Sequence, residues 1–202
     1  TRIEDLLGHV GTGTDTIRAI HQAIRNYTRV EQAPEPNQDL GPIVGEAVTI
    51  LSSKLKDFDV AVELDGLPTV TCRRSQLGQV FTNLLSNAAD ALHEAKESPE
   101  GNDFRGRIAV RGVAIRHGGQ EGLAVRVEDN GPGIPVEYRE KILQAFYTTK
   151  AVGKGTGLGM SICQRIMDAH DGTLGIGDSV ELGGASMIVW LPLKPATEKA
   201  DR

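Results

Sequence analysis

Two alternating segments, RIAVRGVAI (107–115) and GLAVRVED (122–129), lie on either side of HGGQ, and this pair narrows the possible folds most. Alternation gives each segment one apolar face for a core, and the glycine pair between them is a hairpin signal. Hairpins join strands antiparallel, whereas a doubly wound sheet needs a helix between successive strands. Further strand candidates are VAVEL (60–64), TVTC (69–72), TLGIG and SMIVWLP. Helical spacing appears in Ile43, Ala47, Ile50, Leu51 and Leu55, then over about 74–96 and about 157–170, where Gly172 reads as the stop. Strands and helices segregate rather than alternate, which predicts an α+β two-layer sandwich.

Ahead of this body lie two segments of different character. Ile3, Leu6, Val10, Gly13, Ile17, Ile20, Ile24 and Tyr27 form the seam of a helix in a coiled coil or four-helix bundle. Gly8, Gly11 and Gly13 each weaken it by roughly 1 kcal/mol relative to Ala. Residues 1–32 therefore read as a bundle helix that needs a partner to bury its seam. Residues 33–42 read as a linker, 43–194 as the compact domain and 195–202 as a tail. The opening TRIEDLL, without an initiator Met, is expected of a fragment of a longer protein.

The 202 residues include 39% hydrophobic and 24% charged, ordinary for a soluble globular chain. A net charge of −5 argues against nucleic acid as the main partner. No apolar run approaches the ~20 residues of a membrane span, and no signal peptide opens the chain. Cys72 and Cys163 lack metal-ligand or CxxC spacing, so two buried thiols in a reducing cytosol are expected. A cytoplasmic location follows, on a parent protein that could be membrane-anchored.

Three stretches carry candidate chemistry. In TNLLSNAADA, Asn83 and Asn87 stand one turn apart with Asp90 beside them, on a helix whose apolar stripe is Leu77, Phe81, Leu84, Leu85, Ala88 and Leu92. Asn is a mediocre helix former, so the pair calls for a reason, either a solvated face or a site. In GLAVRVEDNGPGIP, Asp129 shares strand parity with Leu123, Val125 and Val127 and should point toward the core, where a carboxylate needs donors. It could cap the Asp-Asn-Gly turn. It could equally accept from an aromatic amine such as that of adenine, with Gly131 and Gly133 leaving room for the ring. The third stretch, GKGTGLGMSICQRI, runs into a helix with the stripe Leu158, Ile162, Ile166 and Ala169. It reads either as a surface loop or as a phosphate site at a helix N-terminus, with Lys150 and Lys154 nearby. It matches neither a P-loop nor a dinucleotide fingerprint.

Taken in order, NLLSNAADA, DNGPGIP and GKGTGLG resemble the asparagine box and the two glycine boxes of the catalytic domain of sensor histidine kinases, members of the Bergerat-fold ATPases. ILQAFYTTK is similar to the aromatic box of those kinases, with Leu143 where an aromatic is often found. IHQAIRNYTR (20–29) resembles the end of the second helix of their dimerisation bundle. The resemblance spans about residues 38–193. It implies a mixed sheet of about five strands with about three helices, preceded by a bundle-type helix.

The resemblance also implies Mg-ATP as the ligand. Asn87 would hold Mg²⁺, with Asn83 near the same phosphates and Asp90 beside them. Asp129 would bind the adenine amino group, with Gly133 against the base and Gly131 and Ile134 also among the ATP-binding residues. Thr149, Lys150, Gly155 and Thr156 would belong to a lid, and Gly157, Leu158 and Gly159 would hold phosphates. Asn83, Asn87 and Lys150 are the catalytic candidates. Hydrolysing relatives carry Glu at the position of Asn83 to activate water; an imidazole nucleophile needs no such base.

The implied activity is phosphoryl transfer from ATP to a histidine, for relay to a response regulator, in a homodimer formed through the N-terminal helix. None of His9, His21, His93, His117 or His170 fits the acceptor pattern of His, acid and a nearby Pro. The acceptor is therefore expected on a bundle helix before Thr1 or on another protein. A Bergerat-fold ATPase or serine kinase, or a non-catalytic ATP-binding module, are the alternatives.

Overall fold

A computed structural model describes residues 33–98, 103–150 and 155–193. The helix read over residues 1–32 and the tail over 195–202 lie outside them. In chain order the elements are β1 (Glu35–Gln38), α1 (Leu40–Ile50), α2 (Ser52–Leu55), β2 (Asp59–Glu63), β3 (Val70–Cys72) and α3 (Arg74–Glu97). They continue with β4 (Arg107–His117), β5 (Gln120–Asp129), α4 (Val136–Arg139), α5 (Gly159–Asp168), β6 (Thr173–Asp178) and β7 (Ala185–Pro192). A 3-10 turn, Lys141–Leu143, follows α4.

Five strands form one mixed sheet in the order β2-β4-β5-β7-β6, with β2 parallel to β4 and the other pairs antiparallel. The β4–β5 hairpin closes through Gly118 and Gly119, both at positive φ, with His117 opposite Gln120. Two successive left-handed positions match the twist of the flanking strands. On the inner face Leu123, Val125 and Val127 join one core with α1, α3 and α5. The whole expected stripe of α3, from Leu77 to Leu92, is buried, together with Val80 and Ala89. Each such large apolar side chain stabilises the fold by roughly 1.5–3 kcal/mol relative to exposure.

Four local expectations need correction. Residues 33–42 are more than a linker: β1 pairs antiparallel with β3, and α1 starts at Leu40, capped by the Asp39 carboxylate accepting from the Gly41 N–H. This pairing is non-local, so a proline-rich stretch carries no local trace of it. Ile50 is exposed, at the last position of α1, where Leu51 caps the helix before α2 begins. On α5 the buried side chains are Met160, Cys163, Ile166 and Met167, rotating the inner face away from Leu158 and Ala169. The left-handed residue after α5 is Asp171; Gly172 instead allows close approach, since a Cβ there would lie 2.4 Å from the Trp190 carbonyl oxygen.

Candidate active site

A cavity of about 500 Å³ opens between α3, the inner end of β5, the segment 132–150 and the start of α5. That size suits a cofactor-sized ligand. Asn83 and Asn87 both line it, from consecutive turns of α3. Asn83 Nδ2 donates to the Gly159 carbonyl at 3.2 Å and approaches Cys163 Sγ at 3.5 Å. Asn87 Nδ2 donates to Met160 Sδ at 3.2 Å, while its Oδ1 accepts from Lys150 Nζ at 3.5 Å. A carbonyl can only accept and an ammonium can only donate, so these partners set which end of each amide faces which way. The first two turns of α5 thus hold the NH₂ groups and leave the amide oxygens for the cavity.

One turn on, Asp90 lies between two lysines. Its Oδ2 accepts from Lys150 Nζ at 2.5 Å and its Oδ1 pairs with Lys54 Nζ at 2.6 Å. Burial pushes the Asp90 carboxyl up, but the hydrogen bonds from Lys150 and Lys54 outweigh it and hold the group below its usual range. Lys54 also donates to Ser86 Oγ at 2.7 Å.

Asp129 points inward as its parity requires, and only 4% of it is exposed. Its Oδ1 accepts from the Gly131 N–H at 2.8 Å and from the Ala185 N–H at 3.3 Å. Burial raises its pKa, and those two backbone donors partly restrain the rise. Gly184 makes this geometry possible: its N–H donates to the Asp129 carbonyl, and a Cβ there would sit 2.6 Å from Asp129 Oδ1. Gly133, Ile134, Thr149, Lys150, Gly155, Thr156, Gly157 and Gly159 also line the cavity. Gly131 and Leu158 do not. Gly131 serves through its N–H to Asp129, and Leu158 precedes the first turn of α5.

Next to Tyr147 of the cavity lining, Phe146 adopts a positive φ of 69° while 76% exposed, a backbone state that a bulky residue enters only under constraint. The constraint is visible: the Phe146 N–H donates to the Gly157 carbonyl at 2.9 Å. Gly157 itself is at positive φ, and a Cβ on it would lie 2.4 Å from the Phe146 carbonyl carbon. Leu143 packs against the core instead of lining the cavity.

Several site residues gave no signal in the sequence. Gly184 comes from the β6–β7 connection, Ala185 from the start of β7, Lys54 from α2, and Met160 from an α5 position outside the expected apolar stripe. Of the histidines, His93 stacks edge-on with Phe58 and its Nε2 lies 3.3 Å from the Lys54 carbonyl. His170 Nδ1 bonds the Ile166 carbonyl at the end of α5, and its Nε2 accepts from the Arg73 N–H. His117 packs against Trp190 on the outer sheet face, while His9 and His21 lie outside the described residues. Cys72 and Cys163 are both buried and free, each pushed up to about 11 mainly by burial.

A mixed sheet packed against helices through one core, with an inward carboxylate and paired amides on one cavity, defines an α+β sandwich with a ligand-sized site. The family model for histidine kinase-, DNA gyrase B- and HSP90-like ATPases matches residues 72–195, and the chain belongs to that family. The nitrogen regulation protein NtrY of Azorhizobium caulinodans is 32% identical over 197 residues, covering 93% of this chain and 24% of that protein. The signal transduction histidine-protein kinase AtoS of Escherichia coli is 30% identical over 184 residues, covering 90% of this chain and 28% of that protein. The chain thus spans about a quarter of the length of these curated relatives.

Among solved structures, the catalytic domain of the histidine kinase ThkA is 30% identical with a TM-score of 0.61, covering 78% of this chain and 96% of that one. The mycobacterial sensor histidine kinase MprB is 28% identical with a TM-score of 0.60, covering 81% and 99%. The expected fold, a mixed five-strand sheet with helices, is the one that these catalytic domains share.

Proposed function

We propose that the chain is the catalytic part of an ATP-dependent protein-histidine kinase. It would take Mg-ATP and pass the γ-phosphoryl group to a histidine on a bundle helix, for relay to a response-regulator aspartate. The observation that carries this reading is the set orientation of the Asn83 and Asn87 amides on the same cavity as the Asp129 carboxylate. Asp129, anchored through Oδ1, would accept from the adenine amino group. Gly133 and Ile134 would lie against the base.

Mg²⁺ favours hard oxygen donors and leans on substrate phosphates for the rest, and the Asn87 oxygen fits that demand. When bound, the ion would offset phosphate charge. A divalent ion on the Asn87 oxygen would repel the Lys150 ammonium now 3.5 Å from it, so Lys150 would turn from Asn87 toward the phosphates. Asn83 would stand close to the same phosphates, and backbone N–H groups around Gly157–Gly159 would receive their oxygens. Positioning and electrostatic relief are most of what phosphoryl transfer requires.

An amide at position 83 supplies no base to activate water, which supports transfer over hydrolysis. The seam over residues 1–32 supports a homodimer formed through that helix. Among the described residues no helix is long and apolar enough to cross a membrane. The test is incubation of the chain with γ-labelled Mg-ATP and a helical bundle bearing an acceptor histidine. Acid-labile label on the bundle, lost in Asn87→Ala, is the expected result. Fast phosphate release without transfer would instead indicate an ATPase.

A further inference from the structure

We infer that Lys54, on the short helix α2, is a second phosphate-binding cation of the site, held in place by Asp90 and Ser86. This rests on the nucleotide reading above and adds a residue that no motif in the chain contains. Lys54 lines the cavity together with Asn87, Asp90 and Lys150. Among the described residues of the lining, Lys54 and Lys150 are the cations. Their ammonium groups are bound to opposite oxygens of one carboxylate, at 2.6 and 2.5 Å. The two positive charges are therefore no farther apart than that carboxylate's span allows, and they share a single compensating charge.

Asp90 alone would repel a triphosphate beside Asn87. With both lysines on it, the cluster carries one net positive charge, directed into a partly desolvated cavity where Coulomb attraction is stronger than in water. Glu94, the next acid along α3 in the lining, is solvent-exposed and correspondingly screened. The geometry at Lys54 also leaves it capacity to bind. An ammonium has three donors; Asp90 Oδ1 and Ser86 Oγ take two, at 2.6 and 2.7 Å. The Lys54 side chain is 31% exposed, so the remaining N–H has access to a ligand. The same two bonds pre-organise the long side chain, which lowers the entropy lost when a phosphate arrives.

A residue that only ties α2 to α3 would affect every ligand of the cavity alike, whereas a phosphate contact affects only ligands carrying phosphates. Calorimetry with Mg-ATP and with adenosine separates the two for the 202-residue chain, Lys54→Ala and Lys54→Arg. Lys54→Ala is expected to weaken Mg-ATP about 10-fold, the worth of one charge-assisted hydrogen bond at a partly exposed site. Adenosine affinity should stay within about 2-fold, and Lys54→Arg should recover most of the Mg-ATP loss because the charge is kept. Equal losses for both ligands, or no loss for Mg-ATP, would overturn the assignment, and so would an arginine variant that is folded but no better than alanine. Should the unaltered chain bind neither ligand, the nucleotide reading itself would fall, a result distinct from any of these.

Discussion

The Asn87 amide nitrogen donates to the Met160 sulfur at 3.2 Å, and this contact turns the Asn87 oxygen into the cavity. The sulfur is a weak acceptor, yet it is the part of the contact that a hydrocarbon cannot replace. Met160→Leu conserves volume and should cost less than about 1.5 kcal/mol of stability. The freed amide can then rotate, and Mg-ATP affinity should fall roughly 3-fold, a loss of about 0.6 kcal/mol, while adenosine affinity holds. Calorimetry with both ligands checks this, and equal changes for both would show that Met160 acts through packing alone.

Gly184→Ala places a Cβ 2.5 Å from the Asp129 carbonyl oxygen and 2.6 Å from the Gly131 nitrogen, both backbone atoms. Neither can yield without moving the strand end that presents the carboxylate. The substitution should cost about 1–3 kcal/mol in urea unfolding, as overpacked sites do. It should also weaken adenosine binding along with ATP binding. A stable variant with unchanged adenosine affinity would show that the Asp129 geometry does not depend on this approach.

Much of this site could be read from local spacing. The hairpin followed from alternation around Gly118 and Gly119, the inward carboxylate from the parity of Asp129, and the buried stripe of α3 from its three-and-four spacing. What stayed hidden depends on contacts between distant segments. Gly184 and Ala185 matter only because β7 runs beside β5 and brings their backbone to Asp129. Lys54 matters only because α2 packs on α3. β1 exists only through its pairing with β3 across a long separation. On α5 the glycine run obscures where the helix begins, and one residue of offset in a 3.6-residue period leaves Met160 off the expected stripe.

Acid should act on the two carboxylates in opposite ways. The Asp129 pKa is raised from 3.8, so protonation favours the folded state, and its contribution declines as pH rises from 3.8 through the raised value. The Asp90 pKa is lowered from 3.8, so its contribution is present above 3.8 and is lost as pH falls through the lowered value. Asp129→Asn should therefore flatten the pH dependence of stability above 3.8, and Asp90→Asn the dependence below it. Urea denaturation between about pH 3 and 7 measures both. Steeper slopes in either variant would contradict the assigned directions.

Asp129 is the group proposed to receive an adenine amine, and the nucleotide site stands or falls with it. Calorimetric titration of Mg-ATP into the chain and into Asp129→Asn tests it directly. The unaltered chain should bind, and the variant should bind at least about 10-fold more weakly, since a charged acceptor is replaced by an amide that presents a donor or a poorer acceptor. Equal affinity in a folded Asp129→Asn variant would show that Asp129 does not receive the adenine amine.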